Sequence, residues 1–73
     1  MFNYYKKEFE ELNKKFGFLR FITIEYICGL DGVDPYEMAA ALSAEGIKIL
    51  YDDSSISKEE NEKKERRVKK LIS

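Results

Sequence analysis

Seventy-three residues with thirteen basic and fourteen acidic groups, no histidine and a single cysteine leave few options open. A chain of this length forms one small domain burying roughly 60% of the surface its unfolded form exposes. Cys28 has no partner for an internal disulfide, and the missing histidine removes the usual zinc spacings and the usual general base. No apolar run reaches the ~18 residues of a membrane span, and Met-Phe-Asn-Tyr-Tyr-Lys-Lys-Glu at the start is not a basic segment leading into an apolar signal core, so a cytoplasmic protein without membrane contact is expected.

In chain order, Phe2, Tyr5, Phe9, Leu12 and Phe16 recur at steps of three and four between Lys6, Lys7, Glu10, Glu11, Lys14 and Lys15, which predicts an amphipathic helix. Asn3 can cap its start, and Gly17 stands where a left-handed terminating residue is wanted. The aromatic stripe is read as core, with a self-association or partner-binding face as the alternative. Residues 18–22 are apolar apart from Arg20 and suit either a short strand or the entry to the next helix. Thr23 then offers a cap for a helix over about 24–30, with Ile24, Ile27 and Cys28 on one face. In that stretch Cys28 reads as a small buried hydrophobe rather than a reactive thiol.

Asp31-Gly32 signals a turn. Asp34 as cap, Pro35 at the first helical position and Glu37 three residues after the cap form an Asp-x-x-Glu capping box, predicting a helix that ends at Gly46. Met38, Ala41 and Leu42 should face the core, while Ala39, Ala40 and Ala44 leave room for a close neighbour. Residues 47–51, Ile-Lys-Ile-Leu-Tyr, read as a short strand or extended arm, and 52–55 as a loop. Ser57 and Glu60 form a second capping box for a helix over about 58–71.

Charge divides the chain. Residues 1–57 carry six basic and ten acidic groups, and residues 58–73 seven basic and four acidic. A helical core domain at 1–57 followed by a charged, basic helix or tail at 58–73 is therefore expected.

Cys28, Gly32 and Met38 occupy the small, glycine and apolar positions of a tight bihelical unit, with Ile27, Val33 and Leu42 as further core residues. This spacing resembles the helix-turn-helix family. Over a longer window, Gly17, Ile22-Thr23-Ile24-Glu25-Tyr26-Ile27, Met38, Leu42 and Glu45-Gly46-Ile47-Lys48-Ile49 resemble region 1.1 of primary bacterial sigma factors. That region is an acidic helical domain occupying the DNA channel of RNA polymerase before promoter opening. The same residues, with Val33-Asp34-Pro35 and Ser-Ile-Ser-Lys-Glu-Glu, are similar to the amino-terminal helical domain of bacterial translation initiation factor 2. Both resemblances imply a small helical module, bacterial or phage in origin, attached to transcription or translation machinery.

Between residues 21 and 57 only Lys48 is basic, against Glu25, Asp31, Asp34, Glu37, Glu45, Asp52 and Asp53. A helix starting Asp34-Pro35-Tyr36-Glu37 would put carboxylates where a DNA reader needs Arg, Lys, Asn or Gln. Asp34, Glu37, Glu45, Asp52 and Asp53 are instead the candidate face for a protein partner with a basic surface. Lys63, Lys64, Arg66, Arg67, Lys69 and Lys70 are the candidate contacts should the tail touch nucleic acid. No phosphate-cradling glycine loop, metal-ligand spacing or nucleophile with a base is present, so neither catalysis nor a cofactor is expected.

The sequence thus predicts a mainly all-α domain of three or four helices with a helix-turn-helix-like centre and an optional β arm at 47–51. Its expected role is that of a non-enzymatic regulatory protein-protein interaction module. The alternatives are a nucleic-acid binder using the basic tail and a self-associating structural module, for instance a homodimer.

Overall fold

The computed structural model describes all residues from Met1 to Ser73. Four helices and one two-stranded sheet follow in the order α1 (Phe2–Phe16), β1 (Leu19–Arg20), α2 (Phe21–Gly29), α3 (Pro35–Ala44), β2 (Ile49–Leu50) and α4 (Lys58–Ile72). The chain is mainly helical, with a short β arm where residues 47–51 alternate.

Helix α1 needs no side-chain cap. It begins at Phe2 with Met1 as its cap residue, so Asn3 lies inside the first turn rather than before it. Gly17 ends it as predicted, at φ 79°, donating its N–H to the Asn13 carbonyl at 2.7 Å. Phe9 is buried and Phe2, Tyr5 and Leu12 pack against the core, but Phe16 is 62% exposed. The stripe is therefore core for four of its five members.

The two options at residues 18–22 are both realised. Leu19 and Arg20 pair in parallel with Ile49 and Leu50, and the following residue starts α2. Parallel strands require a crossover connection, and α2 with α3 supplies it. Thr23 does not cap α2. The helix begins two residues earlier, at Phe21, after an extended Arg20 that makes no capping bond. Burial of Phe21 and Ile24 holds the first turn where the local capping signal alone would place the start later.

At the bihelical corner, the Cys28 carbonyl accepts N–H bonds from Asp31 at 3.2 Å and Val33 at 2.9 Å, and Gly32 takes φ 69°. Only a residue without a Cβ adopts that conformation without strain. Asp34 caps α3 by accepting the Tyr36 N–H at 2.9 Å, with Pro35 in the first turn. The cap stands on Asp34, while Glu37 lines a surface groove beside the α3 alanines. Met38, Ala39, Ala40 and Leu42 are buried; Ala41 is half-buried.

The neighbour that the alanines admit is α4, which packs chiefly on α3. Ser57 caps α4 by accepting the Glu60 N–H at 3.1 Å. Val68, only 1% exposed, joins Phe9, Leu19, Phe21, Ile24, Cys28, Met38, Ala39, Ala40 and Leu42 in one core that contains no polar or charged side chain. Helix α4 is thus built into the same core as residues 1–57. No helix is long and apolar enough to cross a membrane.

Candidate functional site

The five acidic candidates do not converge. Asp34 sits at the α3 amino terminus and Glu37 one turn on, whereas Glu45 follows the other end of α3 and bonds Lys6 of α1. The Lys6 ammonium is held above its usual range by that bond and then by Glu10, 3.2 Å away. Asp52 lies after β2 and pairs with Arg20 at 3.1 Å. Asp53 is committed to its own loop, accepting the Ser55 hydroxyl at 2.6 Å and N–H at 2.9 Å, which keep its carboxyl below the usual range. Its backbone N–H donates to Asn61 Oδ1 at 3.1 Å, and Asn61 Nδ2 donates to the Asp53 carbonyl at 2.9 Å, locking the loop onto α4. Asp34, Glu45, Asp52 and Asp53 thus all make bonds within the chain.

The basic candidates share one helix but divide by face. Lys64 points inward, its Nζ 2.9 Å from Glu25 Oε1 and 5.8 Å from the centre of the Phe21 ring. That carboxylate holds the Lys64 ammonium above its usual range against the opposing effect of burial. Arg67 lies over the Tyr36 ring with its guanidinium carbon 3.9 Å from the centroid, a cation-π contact to the start of α3. Lys63 pairs with Glu60 at 3.7 Å and Lys69 with Glu65 at 3.1 Å. Arg66 and Lys70 make neither ion pair nor ring contact.

Beside α3, Glu37, Ala40, Ala41 and Ala44 line a surface hollow whose far wall is Leu71 and Ile72 of α4.

The most distinctive surface lies on α2. Of its nine residues only Glu25 is charged, and that carboxylate turns inward to Lys64. The outward side carries Ile22, Thr23, Tyr26 and Leu30, with Tyr26 70% and Leu30 66% exposed. Residues three, four and seven apart share a helix face, so these side chains form one stripe. At its amino-terminal end lies a groove of about 250 Å³ lined by Leu12, Phe16, Phe18, Leu19, Arg20 and Thr23, and a shallower hollow beside it is lined by Ile22, Thr23, Tyr26 and Ile27. The two share Thr23.

Reading the sequence for charge overlooks this face. Its signal is the near-absence of charge along α2: a helix apolar all round suits burial on all sides, and a domain with a ten-residue core cannot cover it. No protein-family model matches the chain, and neither a curated protein nor a solved structure similar to it was found. Fold alone does not define function, which resides in particular surface sites.

Proposed function

We propose that this chain is a non-enzymatic protein-protein interaction module that works through the outward face of α2. The observation that supports it is a contiguous uncharged stripe, Ile22, Thr23, Tyr26 and Leu30, on the surface of a chain in which 37% of residues are charged. Single exposed apolar residues are ordinary, but a contiguous stripe beside an apolar groove is the mark of a docking surface. Tyr26 is well suited to such a face, combining a large apolar ring with a polar tip and little rotamer entropy to lose.

A regulatory place in transcription or translation machinery is the setting to which the resemblance of residues 17–57 to the sigma and initiation-factor domains points. A partner with a basic surface retains Glu37 as an acidic contact without a bond inside the chain, beside the groove formed with Leu71 and Ile72. The nucleic-acid reading has less support, because Lys64 and Arg67 hold α4 to the rest of the fold and, of its six candidate cations, Arg66 and Lys70 alone make neither ion pair nor ring contact within the chain.

Site-specific photo-crosslinking tests the proposal. A photo-reactive amino acid in place of Tyr26 should trap protein, whereas one in place of Lys70 should trap little. Efficient nucleic-acid adducts at position 70, with no protein adduct at position 26, would reverse the ordering.

A further inference from the structure

The α2 face combines projecting side chains with two hollows. Tyr26 and Leu30 stand well out, Phe18 and Ile22 are little more than a third exposed, and the hollows that meet at Thr23 are lined by Phe16 and Phe18 on one side and by Ile22 and Tyr26 on the other. Thr23 and Leu30 are seven residues apart, about 10 Å along the helix axis.

We propose that the occupant of this face is a second copy of the chain, its α2 antiparallel to the first across a two-fold axis passing between Thr23 and Leu30. The inference rests on reading α2 as an interaction face and names its partner. Such an axis sets Leu30 of each copy over Thr23 of the other and brings the two Tyr26 side chains together near the axis. Leu30 of one copy then enters the groove beside Phe16 and Phe18 of the second, and the same contact repeats in reverse, as an isologous interface requires. At about 250 Å³, that groove takes one large apolar side chain and is smaller than the usual small-molecule site.

Charge allows the pairing. Of the charged groups nearest the stripe, Arg20 is paired with Asp52 and Glu25 with Lys64, while Asp31 accepts a bond from the Tyr5 hydroxyl and keeps its negative charge at the edge of the face. Two copies meet there without opposing like charges, which other faces of so charged a surface would do. Phe16, Phe18, Ile22, Tyr26 and Leu30 together offer on the order of 500 Å² per copy at typical side-chain sizes. The pair would bury about 1,000 Å², the lower edge of a specific interface and the size of weak, transient assemblies.

Sedimentation of the full chain from about 10 µM to about 1 mM reads the equilibrium across that range. The expected result is a concentration-dependent dimer, weakened about tenfold or more by Leu30→Glu or Tyr26→Glu and unchanged by Leu71→Glu, an equally apolar surface position outside the face. Circular dichroism should show all three variants folded. Thr23→Trp, which fills the junction of the hollows without adding charge, should weaken the dimer as well. A monomer throughout the range, or a dimer that survives both glutamate variants, overturns the proposal. A monomer that still crosslinks to another protein from position 26 removes the second copy while leaving the interaction face, whereas a monomer with no protein crosslink at that position removes both.

Discussion

Lys64 Nζ lies 2.9 and 3.0 Å from the two carboxylate oxygens of Glu25, thirty-nine residues earlier in the chain, and joins the middle of α4 to the middle of α2. Both side chains are less than a third exposed, so the pair is screened less than a surface pair. Lys64→Met should cost on the order of 1 kcal/mol, read from the urea midpoint. Glu25→Gln should cost less than Glu25→Lys, which sets two cations against each other. A Lys64→Met midpoint equal to wild type would mean that the pair adds nothing net and that Val68, the Arg67–Tyr36 contact and the Asn61–Asp53 bonds hold α4.

Alkali should unfold the protein, and the direction follows from two groups. Lys64 is raised in the folded state by Glu25, and Tyr51 is pushed up to about 12 by burial and then by the charge of Glu65. A group whose folded pKa exceeds its unfolded value stabilises the fold below the unfolded value, and that contribution is lost as pH rises through the folded one. Stability should therefore fall between about pH 10 and pH 12, the Tyr51 part being on the order of 2 kcal/mol. Circular dichroism and tyrosinate absorbance should change together in that window. Tyr51→Phe should flatten the loss.

Leu42 is fully buried, and Leu42→Ala should cost about 2 to 4 kcal/mol, a large share of what so small a domain has. Val68→Ala removes two buried carbons and should cost about 2 kcal/mol. Ending the chain at Ser57 should prevent folding, because it removes Val68 from the core and uncovers α3. Thermal melts with Glu59→Ala as an exposed control check all three; a cooperative melt of residues 1–57 would show that α4 is dispensable.

Two glycines should answer oppositely to the same change. Gly29 lies inside α2 at an ordinary φ, with nothing within 4 Å of where a Cβ would stand. Gly29→Ala should stabilise by about 0.5 to 1 kcal/mol by restricting the unfolded chain. Gly32 has equally open space but φ +69°, so Gly32→Ala should destabilise by about 1 to 2 kcal/mol. Equal effects at the two positions would mean the corner relaxes around the new side chain.

Nucleic-acid binding should be weak and non-specific. Arg66→Gln with Lys70→Gln should weaken the residual salt-dependent binding to a random-sequence duplex and reduce its salt slope while leaving the melting temperature within a degree or two, since both side chains are exposed. Lys64→Gln with Arg67→Gln should lower the melting temperature instead, because these side chains meet Glu25 and Tyr36. Sub-micromolar, sequence-selective binding would restore the tail as the functional element.

Much of the fold was legible where the signal is local. Asp34, Pro35 and Ser57 mark helix starts, Gly17 and Gly32 mark a helix end and a turn, and the three-and-four spacing from Phe2 marks α1, because capping and backbone preference depend on neighbours a few residues away. The start of α2 was not legible. Thr23 is the better local cap, but pairing of Leu19 and Arg20 with residues thirty further on holds the strand, and burial of Phe21 starts the helix at once.

Charge composition by itself determined that α3 starts among carboxylates and that the last sixteen residues differ in kind from the rest. Only the tertiary structure decided what those charges do. It spends Lys64 on Glu25, Arg67 on Tyr36, Asp52 on Arg20 and Asp53 on Ser55, dispersing the acidic candidates over three parts of the molecule. It likewise decided which apolar residues remain outside. Phe9 and Phe16 belong to one stripe in the sequence, and Ile24 and Tyr26 lie two residues apart, yet one of each pair is buried and the other exposed. The physical reason is that hydrophobicity drives burial without choosing a location: a ten-residue core has room for one side of α2, and long-range packing selects the side left facing water.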